Sequence, residues 1–213
     1  AWPVIKKAFG KILPDMGWGI TRILTLLVVS LVVWQVSYLG LSINTITGVY
    51  LVIAVIGVVS LATCFKFGVK DFLIPKDKLR IVFLEEYLYA VGFFGISLIR
   101  GFLPNIDSLE KYMDYGFVMR YLNSPTLPAT DMWQAGSSIN YYSFGHFWTS
   151  ILIRVMGVTP QVGYNLALGF IAGLTLMLAF MASRLLSEEG HERAEVFGGV
   201  IGALAVFLGS NGH

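Results

Sequence analysis

Two carboxylates four residues apart, and a histidine inside an apolar run, are the side chains of this sequence best suited to chemistry. Glu110 and Asp114 occupy i and i+4 of a helix-like segment, so both point the same way from one face. Such a pair at a membrane surface would bind a divalent cation such as Mg or Mn, or take the proton of an acceptor hydroxyl. The plainer alternative is a solvated face balanced by Lys111 and Arg120. His146 lies roughly two turns inside an apolar stretch, where an ionisable group is expensive and marks a site by default. A hydrogen-bonded histidine with no further role is the competing reading. Asn140, Tyr141 and Tyr142 precede it and offer amide and hydroxyl contacts to a sugar or phosphate. Arg100 suits phosphate because its planar fork makes two parallel hydrogen bonds, and it equally suits the end of a span, with its head in the interface.

The elements that must position these groups are membrane helices. Of 213 residues 56% are hydrophobic and 13% charged, about half the charge of an ordinary soluble domain. Mean hydropathy is +0.72 and the net charge +2, which excludes disorder, a basic nucleic-acid-binding domain and an ordinary cytosolic enzyme. No phosphate-binding glycine loop, dinucleotide fingerprint, zinc-ligand spacing or haem motif is present. The single cysteine, Cys64, forms no intramolecular disulfide and reads as a small buried hydrophobe.

No charge occurs between Arg22 and Lys66, 43 residues that suffice for two crossings of a core about 30 Å thick. The spacing predicts spans over about 20–40, 46–65 and 81–99, with Glu85 and Glu86 reaching the interface from the start of the third. A shorter fourth covers 139–157, a fifth 161–183, and 196–208 begins a sixth. The expected class is therefore an all-α transmembrane bundle of about five to six spans. It divides into a two-span hairpin over 1–80 and a larger part over 81–213. Eight basic residues in 1–19 and 66–80 put both segments in the cytoplasm, making a multi-pass plasma-membrane protein with its N-terminus inside. Loop 100–138 then faces out, Arg154 returns inside, and loop 184–195 lies outside.

A 39-residue connection at 100–138 is too long for a simple linker. Asp107 or Ser108 caps a helix in which Leu109, Tyr112, Met113, Phe117 and Tyr121 form one apolar stripe, ended by Asn123-Ser124-Pro125. That predicts an amphipathic helix over 108–122 lying on the external membrane surface. Glu110, Asp114 and His146 are expected to converge there on one cavity.

The run Ile139-Asn140-Tyr141-Tyr142-Ser143-Phe144-Gly145-His146-Phe147 resembles the signature of the YYY-domain family, large polytopic membrane proteins of archaea and Chloroflexi-type bacteria. Its third tyrosine is replaced here by Ser143. Further similar pieces are Leu13-Pro14-Asp15-Met16-Gly17, Glu110-Lys111-Tyr112-Met113-Asp114, Asp131-Met132-Trp133-Gln134-Ala135-Gly136 and Val162-Gly163-Tyr164-Asn165-Leu166-Ala167-Leu168. The family has proline at the positions of Tyr112 and Met132. The likeness covers essentially the whole chain and implies that this is part of a longer protein. At fold level the family resembles GT-C glycosyltransferases, which use polyprenyl-phosphate sugars. The resemblance implies a lipid-linked sugar transferase working outside the cytoplasm, with Asp114 as base or metal ligand, Glu110 as its partner, and Arg100 or His146 at the phosphate. The alternative is a non-catalytic subunit of a larger membrane complex, its helices drawn close by Gly198, Gly199, Gly202 and Ala203. A transporter ranks third, and its expected charged or broken mid-membrane helices are not seen in the first two spans.

Overall fold

The computed structural model describes residues 1–187 and 192–209 and is all-helical. Part of the expected loop 184–195, and the terminal Ser210-Asn211-Gly212-His213, lie outside the described residues. The elements are α1 (Trp2–Phe9), α2 (Thr21–Tyr38), α3 (Ile46–Phe67), a 3-10 turn (Val69–Phe72), α4 (Leu79–Phe102), α5 (Leu109–Asn123), α6 (Phe144–Met156), α7 (Pro160–Leu186) and α8 (Glu192–Gly209). Among the described residues the extended pairing is one isolated bridge, Thr130 with Ser138.

Four helices, α2, α3, α4 and α7, are long and apolar enough to cross a membrane. The expected fourth span is α6, whose 13 residues rise only about 20 Å. It stops where Gly157 adopts φ 65° and donates its N–H to Ile153 O, 3.1 Å away. The expected sixth is α8, whose first turns carry Arg193 and Glu195.

The chain forms two compact units. The first comprises Ala1–Ile23, Val58–Arg100 and the described residues from Leu168 on. In it the N-terminal segment lies against the 66–80 connection. Trp2 Nε1 donates to Phe72 O at 3.1 Å and Lys6 Nζ to Leu73 O at 2.9 Å. Helices α4 and α7 meet backbone to backbone at glycines. A β-carbon on Gly92 would stand 2.7 Å from Ala172 O, and one on Gly173 2.7 Å from Tyr89 O. The small residues of α8 are filled from inside the chain as well. A β-carbon on Gly199 would strike the Phe180 ring at 2.8 Å, and Ala203 is buried with Phe180 and Leu176. This face of α8 is therefore occupied by α7 and supplies no argument for a partner subunit.

The second unit, Leu24–Gly57 and Gly101–Ala167, carries the long connection. Helix α5 starts where the Ser108 hydroxyl accepts from Lys111 N–H at 3.3 Å, and it ends before Ser124-Pro125. Its final carbonyls, which no helical N–H can reach, are satisfied from elsewhere. Asn44 Nδ2 donates to Tyr121 O at 2.8 Å and Ser124 O at 2.6 Å. Arg154 Nη2 donates to Asn44 O, Tyr121 O and Leu122 O at 2.9, 3.2 and 3.0 Å. Arg154, read from the sequence as a basic residue marking the cytoplasmic side, is thus a buried clamp. Because it holds Asn44, α6 ends beside the turn that follows α2.

The apolar stripe of α5 divides. Phe117 and Tyr121 are fully buried, whereas Leu109 and Tyr112 are 85% and 61% exposed. The buried half packs on protein, with Tyr121 against Phe147 of α6 (5.4 Å between ring centroids) and Trp34 of α2 (5.7 Å). Trp34 also meets Phe144 and Phe147 at 5.4 and 4.8 Å, so α2 helps fix the angle of α6.

Candidate functional site

Helices α5 and α6 bring together two of the three groups singled out from the sequence. His146 Nε2 lies 2.9 Å from Asp114 Oδ1, across 32 residues of chain. The histidine side chain is 19% exposed and the aspartate 36%, so the pair sits at the rim of the protein. Phe117, one turn beyond Asp114, supports the imidazole at 5.3 Å between ring centres. On the other side His146 Nδ1 is buried and has no hydrogen-bond partner, so the imidazole works outward through Nε2 alone. If the neutral ring carries its proton on Nε2, it donates to Asp114 and fixes that carboxylate's orientation.

Tyr141 and Tyr142 form the adjoining wall. Their rings stack at 3.9 Å, Tyr141 stacks on Phe117 at 5.4 Å, and the Tyr141 hydroxyl donates to that of Tyr142. Trp133 meets the same Phe117 edge-on at 5.9 Å. That hydrogen bond to Tyr142 pushes the Tyr141 phenol above its ordinary value, and the Asp114 and Glu110 carboxylates add to the shift. Glu110 is therefore near enough to act on Tyr141, but it is exposed and holds neither Asp114 nor His146. Asn140 is exposed as well. Arg100 belongs to the first unit, half-buried in the last turn of α4.

Among the described residues no group of three or more His, Cys, Asp or Glu side chains is gathered closely enough to hold a metal ion. Asp114 is engaged by His146, and Glu110 stands apart. These residues do not by themselves fit the divalent cation considered from the sequence, and no chemical step below passes through one.

Ser143 is buried and hydrogen-bonds the hydroxyl of Tyr121. Tyr121 reaches this position from α5, so a phenol does adjoin the motif, supplied by a different element. Tyr164 and Asn165, from another of the recognised pieces, bind the same connection. Tyr164 packs edge-on against Tyr115 at 5.7 Å, and Asn165 Nδ2 donates to Pro104 O at 3.1 Å.

A second polar cluster escaped the sequence reading. Glu86 accepts from both guanidinium nitrogens of Arg22 (2.8 and 2.6 Å) and from Trp18 Nε1 (2.6 Å). Glu85, expected at the interface, is only 1% exposed. The available signal was the pairing of two adjacent acids with an Asp15 just before the first span and an Arg22 at its start.

No curated protein and no solved structure matches the chain. Residues 28–213 do match the model of the family described as "Uncharacterized membrane protein (DUF2298)", and the chain belongs to that family of membrane proteins.

Proposed function

We propose that this protein transfers a sugar from a polyprenyl-phosphate carrier to a hydroxyl acceptor at the extracytoplasmic membrane surface, with Asp114 as the base. The observation that carries this reading is the 2.9 Å contact between His146 and Asp114, beside an exposed pair of stacked tyrosines. Aromatic faces suit the apolar faces of a sugar, and phenol hydroxyls suit its rim. The likeness of 139–147 to the YYY-domain signature, and through it to GT-C enzymes, supports the reaction class. The eight basic residues of 1–19 and 66–80 support a cytoplasmic N-terminus and an external α5 in the plasma membrane.

In the proposed step the free oxygen of Asp114 takes the acceptor's hydroxyl proton. The acceptor oxygen bonds to the sugar's anomeric carbon, and the bond from that carbon to the phosphate oxygen breaks, releasing polyprenyl phosphate. His146 is a positioning residue that holds the other oxygen of Asp114.

The test uses the full chain in membranes, supplied with polyprenyl-phosphate glucose or mannose tritiated in the sugar. Asp114→Asn is expected to slow transfer at least about 100-fold, the ordinary contribution of a general base. His146→Gln, which keeps a donor toward Asp114, should retain more rate than His146→Ala. Transfer by Asp114→Asn at the wild-type rate, or none by the wild type from either donor, removes this reading.

A further inference from the structure

The proposed reaction makes no use of the polar cluster in the first unit. There Asp15 is fully buried and accepts two backbone N–H groups, from Gly17 at 3.0 Å and Gly19 at 2.6 Å. The chain wraps this carboxylate through Met16 at φ 60° and Gly17 at φ 85°, the first a conformation that a residue with a β-carbon rarely adopts. Glu85, on α4, is also fully buried, and its Oε2 has no hydrogen-bond partner. Both carboxylates border Gly19. A β-carbon there would lie 3.3 Å from Asp15 Oδ2, 3.4 Å from Met181 Sδ and 3.5 Å from Glu85 Oε2.

The surrounding charges do not neutralise this pair. Arg22 of α2 faces Glu86 of α4 with both of its terminal nitrogens. Arg184 of α7 gives Nη2 to Glu195 of α8 at 3.2 Å. Each cation therefore has a carboxylate of its own, and the charges felt at Glu85 come from Asp15, Arg184 and Glu86. Among the described residues, that leaves Asp15 and Glu85 as two adjacent acids without a dedicated counter-ion, at the border of a candidate membrane span. Two negative charges so close in a medium of low dielectric are prohibitively costly, as in other carboxylate pairs that ionise only one at a time. Asp15 holds two N–H donors and is suited to the charge. Glu85, with none of its own, is suited to the proton, and the carbonyl oxygen of a neutral acid tolerates the unpartnered site better than a carboxylate oxygen does.

We propose that Asp15 and Glu85 form a proton-binding site that holds one proton between them and exchanges it from the side of the membrane bearing the N-terminus. The route is a cavity of about 420 Å³ lined by Lys11, Leu13, Met16, Lys78, Arg184 and Glu195. It lies beside the cluster, since Met16 of its wall follows Asp15 in the chain and Arg184 of its wall acts on Glu85. Ionisable groups buried in membrane helices and paired in this way carry proton relays and couplings in membrane proteins. Losing the proton leaves two adjacent charges that must separate or draw in a cation, which gives the N-terminal side a means of sensing pH.

The experiment is infrared spectroscopy of the full chain in lipid nanodiscs, read in the protonated-carboxyl carbonyl region, with carbon-13 glutamate and carbon-13 aspartate incorporated in separate preparations. At neutral pH one buried protonated carboxyl band is expected, moved by glutamate labelling and absent from Glu85→Gln. It should give way to carboxylate absorption as pH rises. If neither label moves any protonated carboxyl band of the wild type, or if the band survives in Glu85→Gln, the site does not exist. Should Glu85→Gln fail to fold, the labelled wild-type protein alone decides the matter.

Discussion

At Asp131 a single side chain sets the start of the turn that delivers Tyr141 and Tyr142. Its Oδ1 accepts from the N–H groups of Trp133 (2.7 Å) and Gln134 (2.9 Å), and these two bonds hold the carboxyl below the usual carboxylate range. A carboxyl lowered on folding stabilises the turn fully above its unfolded value of about 3.9 and loses that contribution as pH falls through the folded value. The amide resonances of Trp133 and Gln134 are therefore expected to titrate with a midpoint below about 3.9. Asp131→Asn, which keeps an acceptor oxygen, should abolish the step while leaving the turn in place. A midpoint at or above that value would contradict the assignment. His146 was legible in the sequence because an ionisable ring in an apolar run is anomalous. Asp114 and Glu110 were not separable, since their common face is a helical property and only the approach of α6 distinguishes them. The burial of Asp15 and Glu85 was not legible for a related reason: it is made by segments 70 residues apart, and Glu85 alone reads as a span-end charge.

At the scale of elements, helix ends and helix crossings are held by different means. The end of α5 depends on Arg154, whose buried guanidinium serves three carbonyls from α5 and from the turn before α3. Arg154→Met would strand these acceptors and is expected to destabilise the second unit by about 3 kcal/mol, loosening α5 and separating Asp114 from His146. Thermal unfolding in detergent, with amide exchange over 109–123, would check both effects. Arg154→Lys should recover only part of the loss, because one ammonium cannot match the guanidinium's planar fork. The crossing of α4 and α7 depends instead on an absent side chain. Gly92→Ala is expected to cost about 2 kcal/mol, because its β-carbon meets the α7 backbone at Ala172. Gly95→Ala meets nothing within 4 Å and should be neutral or mildly stabilising. Equal losses from the two substitutions would show that the close approach is not what holds these helices. Helix α5 itself was legible, cap and terminus included, because its signals are local. The loss of its lower stripe to α6 was not, because a stripe of apolar residues states that a face is covered without stating by what.

For the whole molecule the informative quantity is the number of crossings. Apolar length alone predicts a crossing at 139–157, and the positive-inside rule reads the basic residue at 154 as its cytoplasmic end. The contacts of Arg154 reverse this inference, for its guanidinium touches Asn44, in the turn that follows α2. With α6 turned back, the four helices long and apolar enough to cross, α2, α3, α4 and α7, would return the end of α7 to the side of the N-terminus. Arg184 there lines one cavity with Lys11 and Lys78, which a chain with α6 as an extra crossing would put on the opposite side. Single cysteines in a Cys64→Ser background test this arrangement against the odd-numbered one. Leu39→Cys and Thr159→Cys should react with an impermeant maleimide in intact cells, and Lys70→Cys only after the membrane is opened. If position 159 labels with position 70 instead of with 39, α6 crosses the bilayer. The bond from Arg154 to Asn44 would then have to be absent in the membrane, and the end of α5 would need another partner for its carbonyls.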